Sequence, residues 1–248
     1  MRLSAEVEVI KKLQKMVLPQ ALELDLIQDL EIASFIQPAD EVGGDYYDVL
    51  SQENRVKIGI GDVTGHGLES GLLMIMAQTA VRTLQESSET DPVKFMDILN
   101  RTLYGNIQRM SSSKNMTLAL LDYADKSIQL SGQHEEVILV RAGGTVERID
   151  TVDLGFPIGL DADIAEFIGQ QTIPLNSGDV VVLYTDGITE AENIEGVQYG
   201  LERLCEIVAH NSQNSAEKIK QAIVEDVWSY IGAQKVFDDM TVVVIKQK

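Results

Sequence analysis

The predicted strands and helices of this chain come in blocks, and this order constrains the fold more than any other feature of the sequence. After a short N-terminal helix come two predicted strands, Glu31–Ile36 and Arg55–Ile60, and then two helices, Leu68–Glu86 and one that opens at Asp91-Pro92. The later elements are six strands, two helices and a closing strand: Met116–Asp122, Ser127–Leu130, Val137–Arg141, Thr145–Ile149, Phe167–Ile173, Val180–Tyr184, Tyr199–His210, Ala216–Tyr230 and Thr241–Ile245. Strict alternation would indicate a doubly wound parallel sheet, whereas blocks indicate the α+β class with largely antiparallel sheets.

Composition and charge narrow the class of protein. The 248 residues are 44% hydrophobic, which is enough for one large domain with a sizeable core. The net charge of −19 disfavours nucleic acids and anionic membrane surfaces as partners, because both are negatively charged. Cys205 is the one cysteine, so an internal disulfide framework and a cysteine-rich metal site are excluded and a reducing, cytoplasmic compartment is expected. The sequence has no apolar run approaching the ~18 residues of a membrane span.

The first 20 residues predict a connecting or dimerisation helix ahead of a domain at 21–248. Apolar residues at helical spacing, Val9, Leu13 and Met16, form a stripe in a helix over Glu6–Leu18 that ends before Pro19. Such a stripe must be covered by its own domain, by a second copy of the chain, or by an upstream domain.

Four acidic turns share one pattern, in which a carboxylate lies at or beside the end of a predicted strand with a small residue nearby. They are Gly43-Gly44-Asp45-Tyr46-Tyr47-Asp48, Gly61-Asp62-Val63-Thr64-Gly65-His66-Gly67, Thr185-Asp186-Gly187 and Asp238-Asp239-Met240-Thr241. Crowded carboxylates repel one another unless a cation neutralises them, and oxygen ligands suit magnesium or manganese better than zinc. The alternative is that each aspartate caps a turn or a helix. The glycine-rich loop before the Leu68 helix could likewise bind an anion at the helix N-terminus or form a tight turn with no ligand.

In their order along the chain, these four motifs closely resemble the SpoIIE-type phosphatases of the metal-dependent protein phosphatase 2C superfamily, and the RsbU-like branch most of all. The resemblance runs from about Glu31 to Lys246. It implies an α-β-β-α sandwich of two mainly antiparallel sheets flanked by helices, with two Mn²⁺ or Mg²⁺ ions held between the sheets.

The resemblance also assigns roles to individual residues. Asp62 is expected to bridge both ions and the Val63 carbonyl to bind one, while Asp45 serves the second ion directly or through water. Asp186 and Asp238 are expected to hold the first ion. Asp239 stands where relatives often have Asn, so it is expected to support a ligand rather than to bind metal, and Asp48 is a further supporting candidate or a solvated turn residue.

The implied reaction is hydrolysis of phosphoserine or phosphothreonine by a metal-activated water, without a protein nucleophile. His66 and His134 are candidates to protonate the leaving oxygen, although each also suits a structural role. The segment Ser131–Val137 departs from the Gly-His-Pro-Pro of relatives, and the phosphate-binding arginine of eukaryotic relatives has no clear counterpart. The family's usual substrate is an anti-sigma-factor antagonist, and a sensor or receiver domain or protein usually acts upstream, as in partner switching that regulates sigma factors.

Three other functions are open. Gly43-Gly44-Asp45 is similar to the start of the diguanylate cyclase signature, but Tyr46 and Tyr47 follow in place of Glu-Phe. A non-catalytic binding module with a phosphatase fold would be expected to lack some of the carboxylates. A small-molecule phosphatase would share the same motifs.

Overall fold

The blocks of strands and helices predicted from the sequence are present in the structure, a computed structural model that describes residues 12–39, 42–52 and 54–248. The helices are α1 (residues 12–17), α2 (Ala21–Asp25), α3 (Leu68–Glu86), α4 (Pro92–Met110), α5 (Asp186–Thr189), α6 (Leu201–Asn211) and α7 (Ala216–Ile231). The strands are β1 (Leu30–Gln37), β2 (Tyr46–Gln52), β3 (Arg55–Val63), β4 (Met116–Ala124), β5 (Ser127–Gln133), β6 (Val137–Val140), β7 (Val146–Ile149), β8 (Gln170–Pro174), β9 (Val180–Tyr184) and β10 (Met240–Gln247).

The chain divides into two compact units. The first unit comprises Met1–Pro19, Asp40–His134 and Thr151–Pro174. Its sheet has five antiparallel strands in the order β2-β3-β4-β5-β8. Helices α3 and α4 share a buried apolar cluster with this sheet, to which Leu73, Phe95 and Leu120 contribute. The sheet therefore presents one face to these helices, and its strand ends carry the first group of predicted site residues.

The second unit comprises Gln20–Ala39, Glu135–Asp150 and Leu175–Lys248. Its sheet also has five antiparallel strands, in the order β1-β10-β9-β6-β7. Strands β9 and β10 are almost continuously apolar, and residues such as Val182 and Val244 pack with Leu204 of α6 and Ile223 of α7. The predicted α+β class, with two antiparallel sheets and flanking helices, is confirmed.

Local signals explain why several boundaries were predictable. Asp91 caps α4, because its carboxylate accepts hydrogen bonds from the N–H groups of Val93 (3.0 Å) and Lys94 (3.3 Å). Asp125 and Lys126 both have positive φ, 49° and 58°, as a two-residue turn between antiparallel strands requires.

Three predictions of local structure were wrong. Residues 46–48 were assigned to a turn but belong to β2, because β3 supplies a full set of antiparallel partners. The strand predicted from Phe167 begins at Gln170, and Phe167 ends a short 3₁₀ turn. The sequence also predicts that the helix Leu68–Glu86 is buried, but α3 is buried on one face only: Leu73 is buried, whereas Leu72 is 40% exposed.

The N-terminal stripe does not pack on its own unit in the part that the structure describes. Leu13 is 47% exposed and Met16 is 74% exposed, while Gln14 and Leu18 are buried instead. The rest of the predicted helix, including Val9, lies outside the described residues. None of the described helices is both long and apolar enough to cross a membrane.

Candidate functional site

In the first unit, a glycine contact brings three of the predicted metal ligands together. Gly44 packs so tightly that a Cβ there would lie 2.8 Å from the Val63 carbonyl oxygen and 3.3 Å from Oδ1 of Asp62. The Val63 N–H also donates to the Gly44 carbonyl at 3.4 Å. Asp45 follows Gly44 directly and is buried. The end of β3 and the residue before β2 thus place two carboxylates and one carbonyl in one region.

Asp48 is a buried, hydrogen-bonded residue of β2 rather than a solvated turn residue. Its Oδ2 accepts a hydrogen bond from Nε2 of Gln78 in α3 at 3.1 Å, and its Oδ1 accepts one from the Val49 N–H at 2.8 Å. The hydrogen bond from Gln78 ties the strand that follows Asp45 to helix α3, so Asp48 occupies a position that supports its neighbours.

In the second unit, the end of β9 and the start of β10 are joined by hydrogen bonds beside the other predicted ligands. The Thr185 N–H donates to the Thr241 carbonyl at 3.1 Å, and the Thr241 N–H donates to Oγ1 of Thr185 at 3.0 Å. A Cβ at Gly187 would collide with the Asp239 carbonyl oxygen, so only glycine fits there. These contacts hold Asp186 close to Asp238 and Asp239.

The two adjacent aspartates Asp238 and Asp239 differ in environment. Asp239 is buried, and its Oδ1 accepts a hydrogen bond from the Ala39 N–H at 2.8 Å. Asp238 is exposed, and its Oδ1 accepts one from the Asp239 N–H at 2.8 Å. Asp239 therefore holds the segment that follows β1 in place, while Asp238 presents a carboxylate at the surface.

Burial and neighbouring carboxylates act together on Asp186. Burial raises the pKa of this carboxyl above its ordinary value, and the negative charges of Asp238 and Glu190 raise it further. The pKa of Glu135 is also raised, by burial and then by the charges of Asp186 and Glu190. Glu135 and Glu190 also belong to this acidic group, although neither is the carboxylate that marks one of the four acidic turns in the sequence.

His134 is held near the strand pair that carries Asp62, whereas His66 is exposed. Nδ1 of His134 lies 2.8 Å from Oγ1 of Thr117, and Thr117 is the direct β4 partner of Asp62. The His134 N–H also donates to Oγ1 of Thr151 at 2.9 Å. Sequence reasoning missed both threonines, since nothing in a hydroxyl residue's own pattern shows which imidazole it will meet.

A lysine that the sequence analysis did not single out contacts the glycine-rich loop. Nζ of Lys114 donates to the Thr64 carbonyl at 2.7 Å and lies beside Gly65. Ser70 of α3 donates its hydroxyl to the Gly65 carbonyl at 2.7 Å. The loop that follows Asp62 and Val63 is thus held by hydrogen bonds from Lys114 and from Ser70, and the positively charged ammonium of Lys114 lies beside it.

The predicted donor set consists of oxygen atoms only: carboxylates of Asp45, Asp62, Asp186 and Asp238, and the Val63 carbonyl. This chemistry fits hard divalent cations such as Mg²⁺ and Mn²⁺. Among the described residues, no three Asp, Glu, His or Cys side chains form a ready-made cluster for one ion. Burial raises the pKa of Asp186 most, and the repulsion by Asp238 and Glu190 that adds to it is the kind that a bound cation relieves.

Comparison with known proteins identifies the family of the chain. The sequence profile described as "Stage II sporulation protein E (SpoIIE)" matches residues 52–248. The chain belongs to the SpoIIE family. Among relatives of this SpoIIE-family chain, "Phosphoserine phosphatase RsbU" of Bacillus subtilis is 25% identical over 252 residues, covering 99% of the chain and 71% of RsbU.

Solved structures share the fold. The SiaA-PP2C domain of Pseudomonas aeruginosa superposes with a TM-score of 0.85 at 20% identity, covering 100% of this chain and 98% of that one. The catalytic domain of the serine/threonine protein phosphatase PstP, in complex with two manganese ions, gives a TM-score of 0.63 at 14% identity, covering 88% and 98%. The prediction of a SpoIIE-type, RsbU-like phosphoprotein phosphatase is confirmed at the level of family and enzyme class.

Proposed function

We propose that this chain is a metal-dependent serine/threonine phosphatase that acts on a phosphorylated anti-sigma-factor antagonist. We assign the ligand set to Asp45, Asp62, the Val63 carbonyl, Asp186 and Asp238, with Mn²⁺ or Mg²⁺ as the cofactor. Asp239 and Asp48 support this set through the hydrogen bonds that they accept from Ala39 and Gln78.

The observation that carries the proposal is the contact of Gly44 with Asp62 and Val63. A side chain at position 44 would press on the Val63 carbonyl and approach the Asp62 carboxylate, so the backbone of the Gly43-Gly44-Asp45 motif reaches the ligands of the next motif. A capping role for each aspartate separately would not require this approach. In the second unit, burial is the main cause of the raised pKa of Asp186, and the negative charges of Asp238 and Glu190 raise it further, which supports the same interpretation.

The protein residues have separate tasks in the reaction. When bound, divalent ions supply Lewis-acid chemistry that activates water and offsets phosphoryl charge. The carboxylates would bind and orient the ions, and the Lys114 ammonium lies beside the loop that follows Asp62 and Val63. Of the two histidines, His134 is the better candidate to donate a proton to the leaving oxygen. Thr117, which pairs with Asp62 across strands β3 and β4, contacts the His134 ring and orients it.

The decisive experiment replaces Asp62 by Asn and measures manganese-dependent hydrolysis of p-nitrophenyl phosphate and of a phosphorylated antagonist protein. We expect both activities to fall by at least ~100-fold, while circular dichroism and the unfolding transition stay close to those of the parent. Asp125→Asn is the matched control, because Asp125 lies in a turn at φ 49° that Asn also adopts. Full activity in purified Asp62→Asn protein would refute the ligand assignment.

For the N-terminal segment, we propose that residues 1–20 connect the phosphatase to a second copy or to an upstream regulator. The exposed Leu13 and Met16 support this proposal, because removing apolar surface from water stabilises the contact with a partner that covers it. Leu13→Ser/Met16→Ser should lower the association state or the response to the regulator, and Lys12→Ser/Lys15→Ser is the control. If the apolar double variant and the control behave alike in light scattering and in activity, the proposal fails.

A further inference from the structure

Next to the acidic group of the second unit lies a cavity of about 130 Å³, which we call the side pocket. Its buried wall is apolar and consists of Ile231 and Met240, with the half-buried Val236 beside them. Its outer wall carries Glu190, Glu192 and Lys235. Asp238 also borders the cavity, so the side pocket adjoins a proposed metal ligand.

The loop that forms one wall of the side pocket is well braced. Glu192 and Gln198 pair across it as an antiparallel bridge, and Oδ1 of Asn193 accepts hydrogen bonds from the N–H groups of Glu195 (2.9 Å) and Val197 (3.0 Å). The hydroxyl of Tyr230 in α7 lies 3.0 Å from the Gln198 carbonyl. Because the loop is held by its own turn and by α7, the side pocket is formed without a ligand.

A second set of contacts holds the Tyr230 ring in place. The Arg203 guanidinium lies 4.8 Å from the centre of the Tyr230 ring and pairs with Asp226 through two hydrogen bonds of 2.8 and 2.9 Å. Tyr199 donates its hydroxyl to the same carboxylate at 2.7 Å. This arrangement of α6 and α7 fixes the ring that supports the loop.

The volume and the charge of the side pocket together indicate which kind of side chain it can bind. A volume near 130 Å³ accommodates one large side chain, since cavities of ~150 Å³ bind a molecule the size of benzene. Three carboxylates, of Glu190, Glu192 and Asp238, and one ammonium, of Lys235, give the lining a net charge of −2, and the wall behind them is apolar. A long basic side chain matches both features, because its methylene stem packs on apolar surface while its charged end stays at the rim.

We propose that the side pocket binds an arginine or lysine side chain of the phosphoprotein substrate, close in sequence to the phosphorylated residue. This inference rests on the proposed phosphatase function and adds a specificity-determining contact to it. Glu192 is the specificity residue to test, because it is half-buried in the braced loop and is not part of the proposed ligand set.

The test uses phosphoserine peptides that differ only in having Arg, Ala or Glu at one position flanking the phosphoserine. With manganese present, we expect the parent protein to prefer Arg at one flanking position, and Glu192→Gln to reduce that preference about fivefold. Glu195→Gln is the matched control, since Glu195 lies in the same loop but does not line the side pocket. Turnover of p-nitrophenyl phosphate should be the same in all three proteins.

Two results overturn the proposal in different ways. Equal kcat/KM for the Arg, Ala and Glu peptides at every position, with normal p-nitrophenyl phosphate turnover, would remove the side pocket from substrate recognition and leave the phosphatase function intact. An equal loss of preference in Glu192→Gln and Glu195→Gln would also refute it. A parent protein that hydrolyses neither kind of substrate would refute the proposed function itself.

Discussion

One hydrogen bond links the N-terminal helix to the loop that carries Asp45, and its removal should affect both stability and metal use. Nε2 of Gln14 in α1 donates to the Gly43 carbonyl at 2.8 Å, and both residues are buried. Gly71 of α3 lies against the same amide, since a Cβ there would be 2.7 Å from Nε2 of Gln14. Gln14 is thus enclosed by the loop that precedes Asp45 and by α3.

The magnitude of the effect follows from this burial. Gln14→Ala removes a hydrogen bond worth about 1 kcal/mol net, and the loss rises to about 3 kcal/mol if the buried Gly43 carbonyl finds no other donor. Alanine has a higher helix propensity than glutamine, so the change in propensity by itself would slightly stabilise α1 and cannot cause a loss of stability. We expect the free energy of unfolding to fall by roughly 1–3 kcal/mol, which for a chain of this size lowers Tm by roughly 2–12 °C.

Two assays test this prediction. Urea denaturation of metal-free protein gives the stability change, and titration of p-nitrophenyl phosphate hydrolysis with manganese gives the metal concentration for half-maximal activity. That concentration should rise several-fold, because the loop next to Asp45 is held less firmly. Lys15→Ala is the control, since Lys15 is exposed on the same helix. If Gln14→Ala matches Lys15→Ala in both assays, the hydrogen bond does not couple α1 to the loop.

Two further predictions concern the second unit. Asp239→Asn should reduce kcat less than ~10-fold and much less than Asp186→Asn does, because an Asn Oδ1 still accepts the hydrogen bond from Ala39; equal losses in parallel assays would contradict this. The raised pKa of Asp186 contributes stability below its ordinary value of 3.8, and this contribution is lost as pH rises through the higher folded-state pKa. Asp238→Asn should therefore become more stable relative to the parent as pH rises in urea titrations with EDTA, and a pH-independent difference would refute this coupling.

The elements that the sequence predicts best are those whose ends are set by local chemistry. Helix α4 begins where Asp91 and Pro92 predict, because the capping carboxylate and the fixed proline φ act within a few residues. Strand β2 was missed for the opposite reason. Its segment has two glycines and two aspartates nearby and reads locally as a turn, but β3 pairs with it and Gly59 leaves room for the Tyr46 ring.

The same division applies to the candidate site. The carboxylates could be identified because a repeated acidic turn is visible in the sequence, and the resemblance to a family supplied their roles. The residues that orient them could not be identified. Gln14, Thr117 and Thr185 are neutral hydrogen-bonding residues in ordinary helical or extended segments, and their partners are 29 or more, 17 and 56 residues away in the chain. Only the folded structure shows these pairings.

The strongly negative charge of the chain also bears on how a phosphatase of this kind selects substrates. A net charge of −19 repels a phosphate dianion at long range, so attraction to the phosphate alone cannot guide the substrate to the site. The same charge attracts a basic segment of a partner protein, and the side pocket places Glu190 and Glu192 next to Asp238. Under the proposal made for the side pocket, a contact with a basic residue near the phosphorylated side chain would compensate for the repulsion of the phosphate. Small phosphate esters lack such residues, and this difference favours a folded phosphoprotein over a generic phosphate ester as the substrate.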